Sequence, residues 1–107
     1  MKAEKILNAE SLLARAQTAA SFLSLLANPT RLLVLCYLTQ EERCVQELEQ
    51  CVGISQSALS QHLARLRAEG LVGFRRDGHQ LYYRIIDENV MKILQVLYEI
   101  YCVQEDK

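Results

Sequence analysis

Residues 54–70, Ile-Ser-Gln-Ser-Ala-Leu-Ser-Gln-His-Leu-Ala-Arg-Leu-Arg-Ala-Glu-Gly, decide the fold of this chain. Ser55 is a favourable helix N-cap, and Gly70 stands where a helix usually ends. Leucines at helical spacing mark the stripe that faces a core: Leu59, Leu63 and Leu66. The opposite face carries small or polar side chains with arginines at its edges: Ser57, Ser60, Gln61, Ala64, Arg65 and Arg67. Such a narrow face can enter a DNA groove while the arginines meet phosphates, so we interpret this helix as a DNA-reading helix.

Composition agrees with one folded domain spanning residues 1–107. Half of the 107 residues are apolar, only one is proline, and the net charge is −1. Charge is nevertheless uneven, because residues 55–86 hold five arginines against two acidic residues, a local charge of +3. Phosphate contacts supply most of the affinity of DNA-binding proteins, so a local basic patch on a near-neutral chain favours binding to double-stranded DNA.

The N-terminal residues mix charged and apolar side chains, unlike the uncharged centre of a signal peptide. The longest strongly apolar run, residues 32–38, is too short to span a bilayer. We therefore expect a cytoplasmic protein without a membrane partner, in which the four cysteines are free thiols. No Ser-His-Asp set, phosphate loop or paired carboxylates can be assembled, so an enzyme is disfavoured and no cofactor is expected.

The preceding residues predict three further helices. Residues 10–27 are apolar on more than one face, and Asn28-Pro29 caps and starts a second, almost wholly apolar helix to about residue 39. Residues 40–43 are interpreted as a polar linker, followed by a short helix over 45–51. Gly53 breaks that helix just before Ser55. Two helices joined by a tight turn with glycine predict a helix-turn-helix.

After Gly70 the apolar period changes from that of a helix to that of a strand. Residues 71–76 and 80–85 read as two strands, with Asp77-Gly78 as the hairpin turn. Basic side chains lie at or beside its tip: Arg75, Arg76 and His79. We interpret the hairpin as a wing that contacts DNA beside the reading helix. His62 and His79 lack partners at metal-ligand spacing, so no metal site is expected there.

A last helix over residues 87–101, capped by Asp87, is also apolar on more than one face. It is the natural partner of the first helix in a homodimer. The fold class is thus a mainly α winged helix-turn-helix, in the order of four helices, a two-stranded wing and a fifth helix. Such a dimer would hold two reading helices about one DNA turn apart and match a palindromic operator.

Three segments together resemble the ArsR/SmtB family of small dimeric winged-helix repressors. These are residues 28–32 (Asn-Pro-Thr-Arg-Leu), residues 55–63 of the reading helix, and Leu66-Arg67-x-x-Gly70-Leu71-Val72. The resemblance covers nearly the whole chain. It implies a repressor that leaves DNA when an inducer binds. The resulting DNA-binding set is Gln56, Ser57, Ser60, Gln61, His62, Arg65, Arg67, Arg75, Arg76 and His79.

Each of the two metal sites familiar in that family lacks ligand residues in this chain. The Cys-x-Cys pair at the third helix is reduced to Cys44, since glutamine stands two residues later. Cys51 follows seven residues after Cys44, about 10 Å along a helix axis, too far to share one ion. The terminal helix has no histidine for the other site.

Cys36 on the central helix and Cys102 at the end of the terminal helix are placed as in the persulfide-sensing BigR/SqrR-like and HlyU-like branch. The resemblance implies that these two thiols react with reactive sulfur species and become bridged by a polysulfide or disulfide. The bridge would lower operator affinity and derepress sulfide-detoxification genes. One of the thiols should be partly exposed with a lowered pKa, because the thiolate attacks first.

Two alternatives stay open at this point. Either cysteine could be a small buried apolar residue without a sensing role. A regulator of the same fold could also respond to metal or metalloid ions or to general oxidants. Cys44 and Cys51 are interpreted as bystanders.

Overall fold

The computed structural model describes residues 8–103, which form five α-helices and three β-strands. In chain order they are α1 (Ala9–Leu26), α2 (Pro29–Leu38), β1 (Arg43–Cys44), α3 (Val45–Val52), α4 (Gln56–Ala68), β2 (Val72–Asp77), β3 (Gln80–Ile85) and α5 (Glu88–Tyr101). The predicted winged helix-turn-helix is confirmed, and each predicted helix agrees with the structure to within two residues at either end.

Side-chain caps set where the helices begin. Asn28 Oδ1 accepts a hydrogen bond from the amide of Arg31 at 3.0 Å, and Pro29 follows at the first position of α2. Ser55 Oγ accepts from the amide of Ala58 at 3.2 Å, at the start of α4. Asp87 Oδ1 accepts from Asn89 at 2.7 Å, at the start of α5. Each cap satisfies an amide that the first helical turn leaves without a partner, so these boundaries are encoded locally.

α1 and α2 meet at a sharp bend of 83°. The Arg31 side chain stabilises the bend, since its Nε donates to the carbonyl oxygen of Leu25 at 2.8 Å. Within residues 8–103 no single helix is both long and apolar enough to cross a membrane; α1 and α2 reach that length and composition only as a bent pair.

The hydrophobic core lies between α2, α3, α4 and the sheet. These elements, with Leu71 before β2 and Val90 of α5, supply the fully buried residues: Val34, Leu35, Leu48, Leu59, Leu63, Leu66, Leu71, Val72 and Val90. Gly53, with a φ of 77°, ends α3 in the left-handed conformation and allows α4 to start after a short turn. All three leucines predicted on the inner stripe of α4 are therefore in the core, which fixes the direction of its polar face.

The prediction of a polar linker over residues 40–43 is wrong at its end. Arg43 and Cys44 form β1, which pairs antiparallel with β3 through Arg43↔Tyr83 and Cys44↔Tyr82. The sheet therefore has three strands in the order β1-β3-β2, where the sequence predicted a hairpin alone. Two residues are too few to show the alternation by which a strand is predicted, and the pairing joins residues about 40 positions apart.

The wing is a regular antiparallel hairpin whose register runs from Val72↔Ile85 to Asp77↔Gln80. Asp77 is paired in the strand, so the turn consists of Gly78 and His79, one residue later than predicted. Gly78 has a φ of 64°, and a glycine at the first turn position is typical of type II′ hairpins. The backbone pairing along both strands therefore supports the turn beside which the basic side chains lie.

The outer faces of α1 and α5 are uncovered within the protomer. Leu12 is 55% exposed and Leu13 60%, while Val96 and Ile100 on α5 are about half exposed. In α1 only Leu25 and Leu26 are buried. Apolar patches of this kind mark interaction surfaces.

Candidate functional site

The polar face of α4 is exposed opposite its buried leucines. The structure places five of the predicted DNA-binding residues on it: Gln56, Ser57, Ser60, Gln61 and Arg65. Half-buried His62 lies at the edge of this face. Polar side chains therefore point to solvent along the first three turns of α4, an arrangement that fits the major groove.

Arg67 joins the reading helix to the wing. Its guanidinium carbon lies 4.5 Å from the centre of the Phe74 ring on β2, a cation–π contact. The Phe74 ring in turn packs against Tyr83 on β3, with ring centres 5.4 Å apart. The wing aromatics therefore orient Arg67, a link that sequence reasoning missed because it depends on the packing of α4 against β2.

Arg75 is already engaged within the protomer. Its Nη2 and Nε lie 2.6 and 2.7 Å from Glu42 Oε1, and its Nη1 lies 3.7 Å from Asp77 Oδ2. Its guanidinium also stacks on Tyr82, at 4.8 Å from the ring centre. The hydrogen bond that Arg75 donates to the Glu42 carboxylate raises the pKa of Arg75 above its ordinary value. Glu42, in the predicted linker, was not foreseen as a partner of the wing.

The other predicted basic residues of the wing, Arg76 and His79, are exposed. Neither forms an ion pair with another residue of the described chain. Arg76 is therefore available to a phosphate, as is Arg84, which is exposed on β3 and was not in the predicted set, whereas Arg75 must first leave Glu42. DNA contact by each member of the predicted set stays a prediction.

Cys36 and Cys102 lie on the same groove, although 66 positions separate them. Cys36 is on α2, and Cys102 is the residue that ends α5. Both thiols are free and exposed, and both line an open groove of about 660 Å³. Cys44 is buried and Cys51 half-buried, and neither reaches the groove. The structure thus brings together the pair that the resemblance implied and leaves the other two apart.

Burial raises the pKa of the Cys36 thiol, and the neighbouring Cys102 adds to the rise. The groove covers part of the Cys36 side chain and so lowers the hydration of its thiolate, and the second thiol beside it disfavours a negative charge there. The lowered pKa expected of a first-attacking thiol is therefore not found at Cys36.

The groove around these thiols is mostly apolar. Six apolar or aromatic side chains line it: Leu32, Met91, Leu94, Leu97, Tyr98 and Tyr101. Helical spacing back from Cys102 would have indicated Tyr98 and Gln95, four and seven positions earlier on one face of α5. No comparable signal in the sequence indicates which residues of α2 face them.

Three polar side chains complete the lining, and each is hydrogen-bonded to a protein group. Thr39 Oγ1 donates to the carbonyl oxygen of Cys36 at 2.6 Å. Gln40 Oε1 accepts from Arg43 Nη2 at 2.7 Å, and Gln95 Nε2 donates to Glu99 Oε2 at 3.2 Å. Among residues 8–103, no group of three or more His, Cys, Asp or Glu side chains is arranged to hold a metal ion.

Known proteins resemble the chain in sequence and structure. The sequence profile described as "Bacterial regulatory protein, arsR family" matches residues 28–73. The nodulation protein NolR of Rhizobium meliloti is 54% identical over 86 residues, which cover 80% of this chain and 70% of that protein.

Two solved structures superpose closely. The transcriptional repressor BigR from Xylella fastidiosa has a TM-score of 0.80 at 39% identity, over 94% of this chain and 99% of that chain. A homodimeric winged helix-turn-helix DNA-binding domain, Mb0332 of Mycobacterium bovis, has a TM-score of 0.73 at 30% identity, over 89% of this chain and 88% of that one. The chain therefore belongs to the arsR family, and it is a DNA-binding transcriptional regulator and not an enzyme.

Proposed function

We propose that the chain is a homodimeric cytoplasmic repressor of a palindromic operator, released when Cys36 and Cys102 react with sulfane sulfur. α4 enters the major groove, and Arg76 and His79 on the wing contact the neighbouring backbone. The main support for DNA binding is the exposed polar face of α4. Three leucines that are almost wholly buried fix the direction in which this face points. The observation that carries the sensing part is the meeting of two free thiols on one groove.

The homodimer is supported by the uncovered apolar faces of α1 and α5. A second groove of about 770 Å³, lined by Phe22 and Ile93 among others, runs between these two helices and adds concave surface to the same region. The Mb0332 domain, which is homodimeric, agrees with such an arrangement. Two α4 helices related by a twofold axis would read a palindromic site.

The sulfur chemistry balances with a hydropersulfide, RSSH, as donor. A thiolate attacks the outer sulfur of the donor, forms a protein persulfide and releases the thiol RSH; the second cysteine does the same. One persulfide then attacks the cysteine sulfur of the other and expels hydrosulfide, which leaves a trisulfide bridge. The two thiols are oxidised, and one sulfane sulfur is reduced to hydrogen sulfide. We assign the first attack to Cys102, because burial and the neighbouring thiol raise the pKa of Cys36 and so reduce its thiolate fraction.

The bridge would join α2 to the end of α5. α2 packs on α3 and α4 in the core, and α5 belongs to the proposed dimer surface. A fixed distance between these two helices would change the orientation of each α4 relative to the dimer axis. The two α4 helices would then fit the operator less well, and operator affinity would fall. Genes for sulfide detoxification are the expected targets.

The DNA-binding part is tested with the variant Gln61→Ala, Arg65→Ala. We expect a loss of operator affinity of at least about tenfold, since a base contact and a phosphate contact are removed. Gln95→Ala on α5 is the matched control and should bind DNA as the native chain does. Unchanged affinity of the double variant would refute the assignment of the α4 face.

The sensing part is tested by intact mass after treatment with hydropersulfide, hydrogen peroxide, zinc and arsenite in separate samples. A product that gains sulfur and links Cys36 to Cys102, together with loss of operator binding, is the expected result. A plain disulfide with peroxide, or a bound metal or metalloid, would point to the alternative regulator of general oxidants or metal ions. Cys36→Ser and Cys102→Ser should each abolish the linked product, whereas Cys51→Ser should not.

A further inference from the structure

We propose that the thiol groove selects uncharged, apolar dialkyl polysulfanes over hydrophilic, charged sulfur donors. The inference rests on the proposed function and names the class of donor that the same site takes. Its basis is the lining of the groove, in which residues 8–103 place apolar side chains and no charged side chain beside the two thiols.

Charge is the first argument. Within the described part of the chain, every residue that lines the groove has an apolar, aromatic, amide, hydroxyl or thiol side chain. A donor with carboxylates, such as a glutathione polysulfide, would lose hydration there without gaining an ion pair. Since desolvating an unpaired carboxylate is costly, the approach of such a donor to the thiols is disfavoured.

Hydrogen bonding is the second argument. The three polar side chains of the lining are hydrogen-bonded within the protein. Gln40 accepts from Arg43, Thr39 donates to the carbonyl oxygen of Cys36, and Gln95 donates to Glu99. One polar atom of each of these three side chains is thus already engaged within the protein, which reduces the hydrogen bonding that the groove offers to a hydrophilic donor. Dialkyl chains need no such partners, and their burial against Leu94, Leu97 and Tyr98 is favourable.

Size and access are the third argument. The groove of about 660 Å³ falls within the range of small-molecule sites and exceeds what a few bridging sulfur atoms occupy. Cys102 and Tyr98 lie on one face of α5, whereas Val96 and Ile100 lie on the other side of the helix. A dimer formed through α1 and that other side leaves the groove open to a donor.

The reaction balances for a dialkyl trisulfide, RSSSR. A cysteine thiolate attacks the central sulfur, breaks one S–S bond and releases a thiolate RS⁻, which leaves a protein–S–S–SR adduct. The second thiolate attacks the former central sulfur and expels the remaining RS⁻. Two thiols and one trisulfide become a trisulfide-bridged protein and two RSH. The protein is oxidised by two electrons, and the donor is reduced by two.

The test compares dipropyl trisulfide with glutathione trisulfide, which share the three-sulfur chain and differ in charge and polarity. Formation of the bridged chain is followed by intact mass as the gain of one sulfur and the loss of two hydrogens. Each rate is divided by the rate of thiol consumption with the same donor in the urea-unfolded chain, which cancels intrinsic reactivity. We expect the normalised rate with dipropyl trisulfide to be at least about tenfold higher.

A charge variant sharpens the comparison. Gln95→Arg adds a cation to the groove and should raise the normalised rate with glutathione trisulfide severalfold, whereas Gln46→Arg adds the same charge on α3 outside the groove and should not. Equal normalised rates for the two donors would overturn the donor class while leaving the sensing function intact. No bridged product with either donor would refute both. If Gln95→Arg does not fold, the donor comparison on the native chain decides alone.

Discussion

At the scale of single residues, Arg75 shows how a basic side chain in a wing can be held away from DNA. Its guanidinium is hydrogen-bonded by Glu42 and stacked on Tyr82. Counting arginines in the sequence overestimates the phosphate-binding charge of the wing, because one of them is neutralised by an acidic residue 33 positions earlier.

We predict that Glu42→Gln raises the affinity for a random-sequence DNA duplex severalfold, because it releases Arg75 for a phosphate. The slope of log affinity against log salt should steepen by about one. Glu41→Gln is the control, since it removes the same charge one residue earlier without freeing Arg75. Equal effects of the two variants would show that only net charge matters. Binding is measured by fluorescence anisotropy over a salt series.

A second residue-scale prediction concerns the pH dependence of Cys36. A raised pKa means that less thiolate is present at neutral pH, so alkylation of Cys36 by iodoacetamide should rise at higher pH than for a cysteine with the ordinary pKa. In Cys102→Ser the rise should move to lower pH while staying above the ordinary position, because burial, the larger cause, remains. Cys51→Ser should leave it unchanged. Site-resolved mass spectrometry measures each rate, and a curve unaffected by Cys102→Ser would contradict the coupling.

At the scale of elements, the α3–α4 turn depends on one backbone conformation. Gly53 has a φ of 77°, and nothing lies within 4 Å of a side chain added there. Replacement therefore meets backbone strain and no steric clash. The orientation of α4 rests on this turn and on the leucines beneath it.

We predict that Gly53→Ala lowers the free energy of unfolding by about 1–2 kcal/mol, the cost of a left-handed conformation for an L residue. Gly53→Asn should lose less, because asparagine tolerates that conformation better. Urea unfolding followed by circular dichroism gives both values. An alanine variant as stable as the native chain, or an asparagine variant that is the less stable of the two, would be inconsistent with a turn limited by backbone conformation.

The strand β1 is the element that connects the two proposed sites. Arg43 Nη2 binds Gln40 on the rim of the thiol groove, while its backbone pairs with Tyr83 of β3. Its Nε also donates to the carbonyl oxygen of Tyr37 at 3.2 Å, near the end of α2. A displacement of α2 by a sulfur bridge would thus act on the strand that flanks the wing.

At the scale of the whole molecule, the protomer leaves large apolar side chains of α1 and α5 exposed. A helix with Leu13 at 60% exposure gains little from its own core, and in the proposed homodimer a second subunit buries this face. The geometry of DNA reading in the proposed repressor is therefore a property of the dimer.

We predict that Leu13→Glu, Val96→Glu dissociates the homodimer, raising its dissociation constant by at least about a hundredfold, because two carboxylates would be buried without partners. Leu33→Glu on α2, where the side chain is 40% exposed, is the control and should remain dimeric. Sedimentation velocity measures the association state. A double variant that stays dimeric would rule out these faces as the interface.

The sequence by itself determined the helix caps at Asn28, Ser55 and Asp87, the inner leucine stripe of α4 and the hairpin that follows it. These features depend on residues within a few positions of one another, so local hydrogen bonding and periodicity encode them. Together with the motifs of residues 28–32 and 55–72, they indicated the fold and the family.

Only the tertiary structure decided the pairing of β1 with β3, the capture of Arg75 by Glu42 and the apolar surroundings of Cys36 and Cys102. Each joins residues far apart in the chain, and their meeting depends on how α2, α5 and the sheet pack around one core. A strand of two residues is too short to show an alternating pattern. No sequence rule predicts an ion pair between residues 33 positions apart. Long-range packing, which no local pattern encodes, therefore set the environment of both proposed sites.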